Sequence, residues 1–453
     1  MKKLFGTDGI RGKAGKFPLD AATVRVVGQS LARHLSEKKE REPNIVIGRD
    51  TRESGPWIEQ DLIAGAREAG ALIQSAGVIT TPGVAYLTRT LAADAGVVVS
   101  ASHNPFEDNG IKVFQPSGRK IDDAIERQIE SDVANAAADA EQPPIKSDTV
   151  AASSELKSKY VSYLTNELGN GLALSNLTIV IDCANGAAYE IAPEVFRRLG
   201  AHVITINDHP DGRNINRESG SQHIEGLQQR VVAERADLGV AFDGDADRAL
   251  FVDAAGNFVD GDATLWALAN HLRARGELSG EMVVATVMSN IGLEIALRSK
   301  GIKLTRTDVG DKYVLDELLR SGAALGGEQS GHIIFPKVSL AGDGIITTIT
   351  LLRVMNEQRR SLAKLTKGFQ RYPQLLVNVR VAEKRPFEEL PSVQSAAREI
   401  EEKLNGRGRL LLRYSGTEPL ARVMIEGEDE QRIRAYANEL AETIRQEVGA
   451  ADS

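Results

Sequence analysis

Cysteine is nearly absent from this sequence of 453 residues: Cys183 stands alone. A single thiol rules out a disulfide framework and fits a reducing compartment. Long apolar runs are missing as well, and none approaches the length of a membrane span. The opening MKKLFGTDG has two lysines but lacks the apolar stretch of a secretory signal. A cytoplasmic protein without a membrane partner is the expectation. There is no excess of positive charge, with 55 Lys+Arg against 63 Asp+Glu and a net charge of −8. That balance argues against a nucleic-acid partner, which normally meets a basic face. Histidine is scarce at seven residues, which disfavours a serine phosphatase built around two metals held by His and Asp. What is present is ordinary for a globular chain, and its length exceeds what one core can hold.

A loose internal repeat organises the first three quarters. NIVIGRDTRESG (44–55), LTIVIDCANGAA (177–188) and EMVVATVMSNIG (281–292) each lead into a helical stretch. Each helix then stops near glycine before a second apolar strand, at 69–74, 199–205 and 300–306. Strand, polar turn, helix and strand make a βαβ unit, and three copies predict three related α/β domains with mixed, mainly parallel sheets. The Ala-rich run 131–155, with its Pro-Pro pair, reads as a helix end and linker. LFVDAAGNFVDGD (250–262) reads as a hairpin, and the texture changes again around 366–376. Beyond that point a strand at 375–381, a helix near 392–404, strands around 409–426 and a charged helix at 430–447 predict a smaller C-terminal α+β domain. The expected domains are 1–150, 151–255, 256–368 and 369–453, arranged around a central cleft.

Chemistry-bearing residues gather at strand ends. In VVVSASHNP (97–105), Ser100, Ser102 and His103 follow an apolar run, where a nucleophile and a purely structural turn look alike. In AFDGDADRALFVD (241–253), Asp243, Asp245 and Asp247 crowd between two apolar strands. Carboxylates so close repel unless a cation sits among them, and hard oxygen ligands on one short loop suit Mg²⁺. An EF-hand is excluded, because its position-12 glutamate falls on Ala254. RYSGTEPLARVMIEG (413–427) sets Arg413, Ser415, Gly416 and Thr417 on a turn with Arg422 on the strand behind, a plausible phosphate cradle. LGGEQSGHIIF (325–335) brings Glu328, Ser330 and His332 to one face only if the segment is extended. FGTDGIRG (5–12) places Arg11 in a glycine-rich turn but fails as a P-loop.

Taken together, SASHNP, DGDADR, GEQSGH and RYSGTEP, in that order, resemble the α-D-phosphohexomutase superfamily across essentially the whole chain. FGTDGIRG, TVMSNIG (286–292), DVGDKYV (308–314) and SGTEPLARVM look most like its bacterial subgroup acting on glucosamine phosphates. The resemblance implies interconversion of glucosamine 6-phosphate and glucosamine 1-phosphate through a phosphoserine enzyme and a glucosamine 1,6-bisphosphate intermediate. It implies one Mg²⁺ per active site, small-molecule sugar-phosphate partners and a homodimer. Ser102 matches the phosphate-bearing serine, and Asp243, Asp245 and Asp247 match the Mg²⁺ ligands, with Ser102 beside them. Arg248, Arg11 and His103 match active-site positions, and Lys112 and His332 match the proposed general acid and base. Glu328 and Ser330 match sugar-hydroxyl contacts, and Arg413, Ser415, Gly416 and Thr417 match the phosphate-gripping loop, with Arg422 on the strand behind it as a further substrate contact. The sequence departs from the family pattern at Ala246, where glycine is usual, and at Tyr414, where lysine or proline is common. A member acting on glucose or mannose phosphates is the alternative. A sugar-phosphate sensor without activity would require a lost nucleophile or lost ligands, and both are kept.

Overall fold

Apolar runs of five to seven residues bounded by polar turns become the strands of four sheets. The structure, a computed structural model, describes residues 4–6, 8–136, 150–415 and 418–449. The first sheet is built from β1 (Phe5–Gly6), β2 (Gly9–Lys13), β3 (Asn44–Arg49), β4 (Leu72–Val78), β5 (Ala95–Val99) and β6 (Asp108–Phe114). Its order is β1-β2-β6-β5-β3-β4. β3 runs parallel to both β4 and β5, as the first repeat predicts, while β6 and β2 add antiparallel strands. Every residue of β5 is buried, the pattern of a strand covered on both faces.

The second sheet comprises β7 (Thr178–Asp182), β8 (His202–Ile206), β9 (Leu238–Phe242), β10 (Ala249–Asp253) and β11 (Phe258–Val259), in the order β11-β10-β9-β7-β8. β9 and β10 are fully buried and antiparallel, so the acidic loop between them is a hairpin turn. The predicted hairpin at 250–262 is present as β10 and β11. The third sheet contains β12 (Met282–Thr286), β13 (Lys303–Thr307), β14 (Gly326–Gly327) and β15 (Ile333–Ile334), ordered β13-β12-β14-β15. The fourth comprises β16 (Gln374–Arg380), β17 (Gly408–Tyr414) and β18 (Leu420–Gly427), antiparallel with β18 in the centre. Helices Pro391–Leu404 and Glu430–Val448 accompany it, close to the elements expected there.

The chain forms two compact units, Met1–Val287 with Thr305–Lys367, and Met288–Leu304 with Gly368–Ser453. Within the second unit, helix Ile291–Ser299 of the third repeat is fastened to β18. The buried Glu426 accepts the Ile291 N–H at 3.1 Å and pairs with Arg409 of β17. A carboxylate at a helix N-terminus satisfies an otherwise orphaned donor and meets the positive end of the dipole.

Helix Gly344–Gln358 of the first unit begins at Asp343, which accepts the N–H groups of Ile345 and Ile346 and the Tyr160 hydroxyl. Burial pushes the Asp343 carboxyl up to about 6 against those hydrogen bonds. A folded value above the unfolded one means that this group's contribution is complete below about pH 4 and is lost as pH rises through about 6. Asp343→Asn retains an acceptor and cannot ionise. The variant is expected to gain about 3 kcal/mol on the wild type between pH 4 and pH 7.5. Urea unfolding at both pH values measures the difference.

Candidate active site

β5 ends at Val99, and the chain turns at once through Ser100 to Asn104. Ser102 sits in this turn with φ of 53°, a left-handed conformation that costs a residue with Cβ roughly 1–2 kcal/mol. The surroundings hold it there. Ser100 Oγ accepts the Ser102 N–H at 3.0 Å and donates to Asp50. The fully buried Arg52 pairs with Asp50 and donates to the carbonyl oxygens of Ser102, Asn104 and Pro105. From beyond β8, Asn216 Nδ2 donates to the same Ser102 and Asn104 carbonyls at 2.8 and 3.0 Å. Ser100 therefore braces the loop, while the Ser102 hydroxyl is the one directed at the acidic hairpin.

That hydroxyl donates to Asp243 Oδ2 at 2.6 Å. Asp243, Asp245 and Asp247 are all buried and offer oxygens within 4.8 Å of one another. The loop that carries them is gripped on several sides. Thr81 N–H and Oγ donate to the Asp245 carbonyl and carboxylate, and Ala187 N–H donates to the Gly244 carbonyl. A Cβ on Gly244 would lie 2.5 Å from the Ser102 carbonyl, so glycine is required where the two loops touch. Ala246 has φ of 57°, so the alanine does occupy the conformation that glycine adopts more readily. Its N–H donates to the Asp243 carbonyl and its carbonyl accepts the Gly344 N–H, which keep the loop in place.

Asp245 Oδ1 and Asp247 Oδ1 are buried without hydrogen-bond partners. Orphaned carboxylate oxygens beside a third carboxylate are costly unless a cation meets them, so the donor set fits a hard divalent cation. The remaining Asp245 and Asp247 oxygens face Lys112 Nζ at 2.8 and 3.4 Å. Burial, Asp247 and Asp245 push Asp243 well above the usual carboxylate range. Burial also raises Asp247, but Lys112, His332 and Arg248 outweigh it and hold that carboxyl well below the range.

Around the carboxylates stand the expected cations and one neutral histidine. Arg11 lies on strand β2 rather than in a turn, because FGTDGIRG folds as the hairpin β1–β2. It donates to the Ala101 carbonyl and Asn104 Oδ1 and pairs with Asp8. Arg248 Nε and Arg11 Nε are buried without hydrogen-bond partners, although Arg248 Nε lies 3.8 Å from Asp247 Oδ1. Burial, Arg248 and Arg11 lower His103 to about 4, so its ring, 3.2 Å from Ser102 Oγ through Nδ1, is neutral near pH 7. Lys112 stays protonated, because Asp245, Asp8 and Asp247 outweigh its burial.

GEQSGH is not extended. β14 and β15 form a tight hairpin, with Glu328 N–H donating to the His332 carbonyl and Gly331 N–H to the Glu328 carbonyl. Glu328, Ser330 and His332 therefore cluster around a turn instead of alternating along a strand. Ala249 N–H donates to the Gly331 carbonyl, tying this turn to the acidic hairpin. Ser330 Oγ and His332 Nε2 are buried without hydrogen-bond partners. Burial would lower His332, but Asp247, Asp311 and Glu328 raise it to about 9. The ring expected near 6.5 is thus a proton donor at neutral pH in this field. Arg11, His103, Arg248, Glu328 and His332 all line one cleft of about 620 Å³.

In the second unit, Arg413 lies on β17, opposite Arg422 on β18, rather than on the turn. Arg422 reaches the buried Ser415 hydroxyl at 3.4 Å, and its Nε is buried without a partner. Gly416 and Thr417 lie outside the described residues. Tyr414 stacks on Phe387 with ring centroids 4.2 Å apart and donates to the Arg385 carbonyl, which gives the unusual residue a structural place. Asp8, Arg52, Lys120, Asn216, Asp311 and Lys384 were not expected at either location. Lys384 donates to the Ser415 carbonyl at 2.6 Å. Asp8 and Asp311 lay inside motifs already singled out, and Arg52 inside the first repeat (44–55), where nothing marked it for the site.

This arrangement has relatives. Phosphoglucomutase/phosphomannomutase alpha/beta/alpha domains I, II and III match residues 2–140, 158–256 and 260–372, and the family's C-terminal domain matches 376–443. The chain is 50% identical over 450 residues to the phosphoglucosamine mutase of Solibacter usitatus, covering 99% of both proteins. It is 49% identical to that of Caldicellulosiruptor bescii, covering 98% of this chain and 99% of the relative. A phosphoglucomutase/phosphomannomutase family protein from Burkholderia thailandensis shares the fold, with a TM-score of 0.79 at 22% identity and 98% of each chain covered. A serine braced against three buried carboxylates thus sits in a full-length, four-domain match, and the chain belongs to the phosphoglucomutase/phosphomannomutase family of isomerases, among relatives named phosphoglucosamine mutase.

Proposed function

We propose that this enzyme interconverts glucosamine 6-phosphate and glucosamine 1-phosphate through a phosphorylated Ser102 and a glucosamine 1,6-bisphosphate intermediate. The observation that carries the reading is the Ser102 hydroxyl, set 2.6 Å from Asp243 beside orphaned oxygens of Asp245 and Asp247. The choice of sugar rests on relatives named phosphoglucosamine mutase over nearly the whole chain.

Asp243, Asp245 and Asp247 would hold one Mg²⁺, with Ser102 beside it. When bound, Mg²⁺ neutralises charge on the transferring oxygens and offsets the field that keeps His332 and Lys112 protonated. Ser102 carries the phosphoryl group and gives it to the free sugar hydroxyl. The other phosphate of the bisphosphate then returns to the same oxygen. Arg11 and Arg248 supply positive charge around that group, with the neutral His103 alongside. His332 Nε2 carries the proton exchanged with the sugar hydroxyl, and Lys112 Nζ keeps the carboxylates in register. Glu328 and Ser330 contact sugar hydroxyls, while Arg413, Ser415, Gly416, Thr417 and Arg422 hold the phosphate that is not transferring. The domains of this reading are 1–150, 151–255, 256–368 and 369–453. The setting is cytoplasmic, with a homodimer as the assembly and cell-wall precursor synthesis as the use.

Turnover on the 6-phosphates of glucosamine, N-acetylglucosamine, glucose and mannose tests the assignment. Glucosamine 6-phosphate should have the highest kcat/KM, by roughly tenfold or more. A preference for glucose or mannose phosphate would replace it with the alternative sugar, and inorganic phosphate as the main product would replace the mutase itself.

A further inference from the structure

The acidic hairpin does not end the electrostatics of the cleft. Lys112 Nζ, besides facing Asp245 and Asp247, lies 3.2 Å from Asp8 Oδ2. The other Asp8 oxygen is 2.6 Å from Lys120 Nζ, and the same ammonium is 2.7 Å from Asp311 Oδ2. Asp311 faces His332 Nε2 at 3.9 Å, and His332 Nδ1 faces Asp247 Oδ2 at 3.7 Å. Asp247 returns to Lys112 at 3.4 Å. Three carboxylates and three nitrogen-bearing side chains thus alternate around a closed ring: Asp8, Lys120, Asp311, His332, Asp247 and Lys112.

Within this ring Lys120 stands opposite Asp247, three members away in either direction. It follows β6 and joins the β1–β2 hairpin, through Asp8, to helix Asp311–Ser321. Lys120 also lines a second cavity of about 470 Å³, which shares Gly6 and Asp311 with the cleft. Two further pairs cross the same seam, Arg119 to Asp316 at 2.8 Å and Lys312 to Asp123, but these are solvent-exposed. Exposed pairs contribute little, whereas the Lys120 side chain is 21% exposed and touches two carboxylates at once.

We propose that Lys120 is a positioning residue for proton transfer: by holding Asp8 and Asp311 apart and in place, it sets Lys112 and His332 relative to Asp247. This rests on the mutase reading given above. With Lys120 removed, three carboxylates share Lys112 and His332, and Asp8 and Asp311 each lose a partner. Asp8 then competes for Lys112 against Asp245 and Asp247, and Asp311 competes for His332. The ion pairs of the ring do not use the side chains of Glu328 and Ser330, whose hydroxyl contacts are expected to carry ground-state binding, so that binding is spared.

The test is steady-state kinetics on the full-length enzyme with Mg²⁺ and catalytic glucosamine 1,6-bisphosphate, alongside thermal melting. Lys120→Met is expected to lower kcat on the order of 10- to 100-fold with KM within about threefold. Lys120→Arg, which can still bridge two carboxylates, should recover most of the loss, and Arg119→Ala should match the wild type. If the Met variant does not fold, Lys120→Gln carries the same expectation. Unchanged kcat, a loss confined to KM, or equal impairment in Arg119→Ala would overturn the role. Wild-type enzyme that does not interconvert the sugar phosphates would instead overturn the underlying reading.

Discussion

Ser102→Ala is expected to abolish turnover, with kcat down on the order of 10⁴-fold or more. In the proposed reaction the phosphoryl group leaves and returns to one oxygen, so no neighbouring hydroxyl can substitute. Ser100 is the nearest alternative by sequence, but its Oγ is already engaged by the Ser102 N–H and Asp50. Intact mass distinguishes loss of chemistry from loss of fold. The wild type should contain a species heavier by roughly 80 Da, the mass of one phosphoryl group, and Ser102→Ala should lack it while melting near the wild-type temperature. A phosphorylated Ser102→Ala protein would move the acceptor elsewhere and sink the assignment.

Arg52→Met should be the most destabilising single change near the site. Arg52 and Asp50 are both fully buried and paired at 2.9 Å. Burial already pushes Asp50 up, with Arg52 the chief opposing influence. Removing the guanidinium leaves a buried carboxylate without its partner, a loss of about 3–5 kcal/mol. It also strips donors from the carbonyls of Ser102, Asn104 and Pro105, which hold the left-handed turn. The double variant Asp50→Asn/Arg52→Met removes the unpaired charge but not the missing donors. It should regain stability in urea unfolding while kcat stays low, because Asn216 alone cannot fix the loop. Recovery of activity together with stability would show that Arg52 matters only as a buried charge partner.

The division between what could and could not be read locally follows from range. SASHNP and DGDADR announce themselves because an apolar strand followed by small or acidic residues is a pattern within ten positions. The same local logic placed the C-terminal strands and helices within a few residues. It failed where a motif's geometry depends on its partner strand. GEQSGH looks extended until β14 and β15 close it into a hairpin, and FGTDGIRG looks like a loop until pairing with β6 makes Arg11 a strand residue. The helix of the third repeat carries the same signal as the other two, yet Glu426, more than a hundred residues later, ties it to the C-terminal sheet.

By itself, the sequence determined the repeat of βαβ units, the three carboxylates on one loop, and the serine at a strand end. Each is set by neighbours along the chain, through periodicity, turn chemistry and charge spacing. Only the tertiary structure decided that Ser102 and not Ser100 faces Asp243, that Arg52 is a buried brace, and that Lys120 closes a ring of six side chains. Arginine and lysine are normally solvent-exposed, so nothing in their local context marks them. Asp50 apart, which is two positions from Arg52, their partners are carboxylates and carbonyls brought within hydrogen-bond distance from 50 to 191 positions away, where removal from water makes each pairing obligatory.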